Sequence, residues 1–203
     1  MVQRLSQAKN SLLYRSRGTL TLKAEPNMKW IKRGMGTVVL LVIFFIGVGF
    51  VLPSGFKVER SIEIDAPAQK VYGLISDPRE WKKWSIWNQR DPAMQIVYGG
   101  ARSGKGASWA WKSKSEGSGA MEFNEAIENA GITYRLSFHE FDMESKGQLG
   151  ISPTAKGVRV TWTNEGEMGM NPLTRWFGAF MNQIVGPDFD AGLANLKRIA
   201  EGR

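Results

Sequence analysis

Residues 58–78 read VERSIEIDAPAQKVYGLISDP, and two periods meet inside them. Val58, Ile62 and Ile64 alternate with Glu59, Ser61 and Glu63, the pattern of a strand with one buried and one wet face. Arg60 breaks the apolar side once. Asp65-Ala66-Pro67 then opens a helix, an N-cap acceptor followed by proline in the first turn. Ala68, Val71, Tyr72 and Ile75 fall at i, i+3, i+4 and i+7, and Asp77-Pro78 ends the run.

Working outward toward the C-terminus, a short second helix over about residues 79–83 leads into Trp81, Trp84 and Trp87. Strand-like runs follow. Met94–Tyr98 precedes a glycine-rich turn from Gly99 to Gly106. Ala107, Trp109 and Trp111 share one strand face, and Met121 and Phe123 share another. After Gly131, Ile132, Tyr134, Leu136 and Phe138 alternate with Thr133, Arg135, Ser137 and His139. Leu149 and Ile151 form a further run, and Val158, Val160 and Trp162 another. Such alternation marks antiparallel strands with one solvated face. Asn171-Pro172 caps a last helical region lined by Trp176, Phe177, Phe180, Met181 and Ile184. Gly186-Pro187 interrupts it, as a kink or a break, and Asp188 recaps a stripe of Phe189, Leu193, Leu196 and Ile199. An antiparallel sheet must bury its apolar face on something, and this is the long amphipathic element on offer. The class is therefore α+β, with a sheet curled around the C-terminal helix. The aromatics between them either pack solid or leave a cavity.

Toward the N-terminus, Met35–Leu52 is 18 residues without a charge, about 27 Å of helix and one hydrocarbon core thick. Lys29, Lys32 and Arg33 precede it, Trp30 stands at an interfacial position, and Pro53-Ser54-Gly55 ends it. Residues 1–56 hold eight basic side chains against one acid, Glu25, so this part carries +7 of the chain's net +8. By the positive-inside rule the N-terminus is cytoplasmic and the remainder lies outside the cytoplasmic (inner) membrane. A cleaved leader would end at a small-residue site. No alanine lies between Gly34 and Asp65, and the best pair, Gly47-x-Gly49, is inside the apolar run. The expected layout is a basic disordered cytoplasmic tail over 1–33, a single-pass transmembrane helix over 34–53 and a folded domain over 57–203. Either Met1 or Met28 serves as the start, since MKWIKRGMG alone reads as the head of a membrane segment.

The folded part is nearly neutral, with 19 basic and 18 acidic residues after Phe56, which argues against a nucleic-acid-binding surface. With no cysteine and one histidine, thiolate chemistry and paired imidazoles are excluded. Gly99–Gly106 nearly spells a phosphate-binding loop, but Gly106 stands where a hydroxyl is needed and a strand follows it. His139 should face water, opposite Leu136 and Phe138. Glu165, Glu167, Asp188 and Asp190 lack metal-ligand spacing. No metal, cofactor or catalytic residue is expected.

The stretch quoted first, followed by WKKWSIWNQRDP (81–92), VRVTWTNEGEM (158–168) and GPDFDAGLANLK (186–197), resembles the START-like (SRPBCC) polyketide cyclase/dehydrase and lipid-transport superfamily. The resemblance covers residues 57–203. It implies a helix-grip fold with an apolar cavity between a curved sheet and the C-terminal helix, on a scaffold that carries several functions. Trp81 and Trp84 suit plain core packing. Trp109, Trp111, Trp162, Phe177 and Met181 are the cavity candidates, by strand alternation and helix spacing. The expected function is a membrane-anchored binding protein for an apolar small molecule or lipid. One alternative is a cyclase/dehydratase-type enzyme, for which Glu122 and Glu165 are the available acids. Another is a protein–protein module of the co-chaperone type.

Overall fold

A computed structural model describes residues 28–139 and 143–203 of the chain. The basic tail expected before Met28 lies outside the described residues. Helix α1 runs Met28–Val51, so Met28 to Arg33 are helical although the sequence placed them in the tail. Its stretch Lys32–Val51 is long and apolar enough to cross a membrane, a property it shares with leader sequences near an N-terminus. Leu40, Leu41, Ile43 and Phe44 on it are exposed. The chain divides within this helix, into a unit ending at Val42 and a unit comprising Ile43–Arg203. Among the described residues, the second unit holds the sheet and every helix after the first.

Seven antiparallel strands form one curved sheet. They are β1 (Gly55–Ile64), β2 (Gln95–Gly100), β3 (Ala107–Lys112), β4 (Ser118–Ile127), β5 (Gly131–Phe138), β6 (Met143–Pro153) and β7 (Val158–Glu167). The order across the sheet is β1-β7-β6-β5-β4-β3-β2. The last six strands thus form a meander, and β1 joins its far end beside β7 in unbroken register from Gly55↔Glu167 to Ile64↔Val158. The three short helices α2 (Ala68–Ser76), α3 (Trp81–Trp84) and α4 (Ile86–Arg90) carry the chain from one edge to the other. Helix α5 (Pro172–Ala200) lies against β1 and β7.

Two local readings need correction. Helix α2 starts at Ala68 with Pro67 in the cap position and no side-chain cap. Asp65 does not cap it; its backbone N–H donates to Glu201 Oε1 at 2.9 Å, tying the end of β1 to the end of α5. At the other end, α5 is continuous through Pro187, so Asp188 sits mid-helix and recaps nothing. Proline removes a single helical donor, and Arg60 supplies donors beside it. Its guanidinium donates to Asn182 Oδ1 at 2.8 Å, Asn182 O at 3.3 Å and Asp190 Oδ2 at 3.0 Å. Gly186 is what admits it, since a Cβ there would lie 1.9 Å from Arg60 Nη2. The residue that broke the alternation of β1 is the one that holds α5. The expected cap at the start of α5 is present: Asn171 Oδ1 accepts from Leu173 N at 2.9 Å.

The core gathers around rings. Trp84, Trp162, Tyr134 and Phe123 are fully buried on the concave side. Trp162 stacks on Phe189 of α5 at 4.0 Å and donates from Nε1 to the Tyr134 hydroxyl at 2.8 Å. The Tyr134 ring lies over its cross-strand neighbour Gly147, where a Cβ would come within 1.9 Å of the ring. Burial pushes the Tyr134 hydroxyl pKa up to about 12.

Candidate ligand-binding cavity

Helix α5 covers the β1–β7 half of the concave face, because that is where its buried stripe of Met181, Phe189, Leu193 and Leu196 packs. Over the other half, between β3–β5, the short helices and the first half of α5, a cavity of about 690 Å³ remains. That lies inside the usual range of about 300–1,000 Å³ for small-molecule sites.

The walls come from alternating strand positions. Trp109 and Trp111 project from β3, Met121 from β4, and Leu136 and Phe138 from β5. Trp111 leans across Gly119, its partner on β4, where a Cβ would come within 2.6 Å of the indole. It meets Phe138 edge to face at 5.7 Å. Trp109 is fixed the same way against Phe123 at 5.6 Å. Phe177, Ile184 and Val185 close the helix side, and Trp81 and Trp87 the short-helix side. The Trp81 indole is anchored from behind by its Nε1 donating to Ile75 O at 2.9 Å.

One end of the cavity is polar. Arg90 at the end of α4 forms a two-pronged pair with Asp188 of α5, with Nη1 to Oδ2 at 2.8 Å and Nη2 to Oδ1 as the second prong. Glu116 in the β3–β4 loop stands 3.7 Å from the same guanidinium. The hydrogen bond to Asp188 and then the charges of the two carboxylates raise the Arg90 pKa, against a desolvation cost. Ser113 holds the Glu116 loop, donating from Oγ to Asp91 Oδ2 at 2.5 Å and accepting from Glu116 N at 3.0 Å. Two carboxylates share one cation here.

Of the five residues picked from sequence, Trp109, Trp111 and Phe177 line this cavity. Trp162 and Met181 are core residues, at 1% and 5% exposure. Trp162 is on β7, under the half of the sheet that α5 closes, and only the strand order shows this. Met181 is one turn beyond Phe177 and rotated onto the buried stripe. Trp81, read as core, is both core and wall. Arg90, Glu116 and Asp188 were missed as a group, because they lie on three elements and no local motif joins them.

The other sequence candidates are elsewhere. His139 is exposed just past the end of β5. Glu122 and Glu165 are exposed on the outer face, in a cross-strand row with Arg135, Lys146 and Lys57. In the Gly99–Gly106 segment Gly99 and Gly100 end β2 and the rest is the hairpin connection to β3, where Gly104 N donates to Ser76 O and Gly106 N to Phe123 O. Among the described residues no three His, Asp or Glu side chains form a metal site.

Comparison with known proteins agrees with this architecture. No curated protein matches the chain. Solved structures do. Protein MLL2253 from Mesorhizobium loti superposes with a TM-score of 0.52 at 16% identity, covering 70% of this chain and 97% of that one. The Aha1 dimer from Colwellia psychrerythraea gives 0.52 at 17% identity, over 71% and 96%. The di-domain aromatase/cyclase StfQ of the steffimycin biosynthetic pathway gives 0.56 at 12% identity, over 73% of this chain and 51% of that one. At such identities the likeness is one of fold. A family model described as polyketide cyclase/dehydrase and lipid transport matches residues 55–201, every strand and helix from β1 through α5, and to that family the chain belongs.

Proposed function

We propose that the protein is a membrane-anchored carrier or receptor for an apolar small molecule or lipid, held in the cavity between β3–β5 and α5. The observation that carries this reading is the cavity itself, walled by indole, phenyl and thioether groups where a closed core would be solid. Burial of ligand surface at about 25 cal/mol per Å², less the entropy of association, supplies the affinity. Arg90, Asp188 and Glu116 at one end orient a polar head. Native mass spectrometry of the detergent-extracted full chain should show a bound apolar molecule. Leu136→Trp, which fills the cavity from its wall, should lose that molecule and keep the fold. A Leu136→Trp protein that retains it refutes the site.

The anchor is α1, in the cytoplasmic membrane, with the N-terminus inside and residues 57–203 outside. Contacts of its last turns support an uncleaved anchor over a removable leader. Gly49 is buried and would clash with Pro172 if it carried a Cβ, 2.6 Å from that residue's carbonyl oxygen. A reporter fused after Arg203 should be active only outside the cytoplasm; activity of a cytoplasm-only reporter there reverses the topology.

A second reading, a cyclase-type enzyme, is favoured by one observation: two carboxylates, Asp188 and Glu116, line the cavity. In that case Asp188→Asn abolishes turnover of a bound polyketide while leaving it bound. In the carrier case the ligand leaves chemically unchanged from both proteins.

A further inference from the structure

The first half of α5 carries an apolar stripe that the fold does not cover. Leu173, Phe177, Phe180 and Ile184 are 58%, 49%, 50% and 50% exposed. At about 100° per residue these four fall within one narrow arc of the helix. Met170, just before the helix, is 83% exposed. Solitary exposed apolar side chains are ordinary, but a contiguous row of large ones marks a contact surface.

Two features say what the contact is. The stripe continues onto the end of α1 through stacked rings. Phe45 stacks on Trp176 at 4.6 Å, and Trp176 lies near-parallel to Phe180 at 6.3 Å. Trp176 Nε1 also donates to Phe45 O at 3.0 Å, and Arg175 Nη1 donates to Phe50 O at 2.8 Å and Leu52 O at 3.2 Å. The stripe is therefore bound at the exit of an apolar helix whose own side chains, Phe44, Phe50 and Val51 among them, are exposed as well. Tryptophan and arginine at that junction are the side chains that sit at a membrane–water interface. The second feature is that Phe177 and Ile184 belong to both surfaces: each is half exposed on the stripe and each lines the cavity.

We propose that this stripe lies in the lipid surface from which α1 emerges, so that the mouth of the cavity opens on the bilayer. An apolar ligand then passes between membrane and cavity along Phe177 and Ile184 without crossing water. The proposal rests on α1 being a membrane anchor, and the experiment separates the two.

The chain has no cysteine, so single labelling sites are free of background. The full chain is placed in phosphatidylcholine–phosphatidylglycerol nanodiscs with one nitroxide on Val42→Cys, Leu173→Cys, Phe180→Cys or Val97→Cys. Val97, 72% exposed on β2, is the aqueous control. Collision with oxygen reports lipid, and collision with a water-soluble nickel chelate reports solvent. The expected result is loss of nickel access at 173 and 180, matching 42, with nickel access retained at 97. Nickel access at 173 and 180 with 42 shielded overturns the proposal and leaves the anchor standing. Nickel access at 42 as well overturns the anchor and the proposal together. Dipolar broadening at 173 and 180 that vanishes on dilution with unlabelled protein shows a second copy on the stripe, and also overturns it.

Discussion

At the scale of single residues, the hydrogen bond from Trp162 to Tyr134 makes two predictions. Tyr134→Phe leaves a buried indole N–H unpaired, so it should cost about 1–3 kcal/mol in urea unfolding. It should also change the response to alkali. The folded protein holds the Tyr134 proton up to about pH 12, whereas the unfolded chain releases it near 10. Between those values the native state binds the extra proton, so stability is intact below pH 10 and falls from there toward pH 12. The Tyr134→Phe variant should lack this share of the decline; an identical alkaline slope in both proteins removes Tyr134 as its cause. Two methionines give a second contrast. Met181 is in the closed core, so Met181→Ala should cost about 2–5 kcal/mol and leave binding of 1-anilinonaphthalene-8-sulfonate unchanged. Met121→Ala borders the cavity, and should alter dye affinity at a smaller cost in stability. Sequence spacing could not separate these two, because it locates an apolar face without saying which part of that face is covered.

At the scale of elements, the strands were legible from their alternation, and their order was not. Each run of apolar–polar pairs from Val58 to Trp162 became a strand on the expected face. That β1 pairs with β7 is a tertiary fact, and it decides that Trp162 is core and Trp109 is wall. Helix α5 was legible in its cap and stripe. Its continuity through Pro187 was not, because the side chain that fastens the helix beside that proline, Arg60, is far away in sequence. Arg60→Met keeps the stem and removes the donors, so it should destabilise by about 1.5–3 kcal/mol in denaturant titration, the range for hydrogen bonds to charged groups. With the Arg60 side chain a quarter exposed, the lower end applies. Asp190→Asn, altering only the exposed partner, should cost under about 1 kcal/mol. Equal losses from both would place the effect in the ion pair and not in the fastening of the helix.

At the scale of the whole molecule, the fold class and the family followed from the order of elements together with the quoted stretches, and the cavity came from their geometry. The polar group Arg90–Asp188–Glu116 needed the folded chain, since α4, α5 and a hairpin loop meet only there. The pairing of β1 with β7 has a consequence in time. The first strand to leave the ribosome waits for the last, with roughly a hundred residues made between them. Contacts so distant in sequence form slowly, since loop closure must come before they stabilise anything. Until then Phe56, Val58 and Ile64 stand on an open edge with no partner strand. A chain stopped after Gly157 should therefore show no cooperative unfolding transition and should aggregate, although six of its seven strands are present. The order of synthesis puts β7 and then α5 last, so the two together commit the domain, and until they arrive the apolar face of β1 is uncovered.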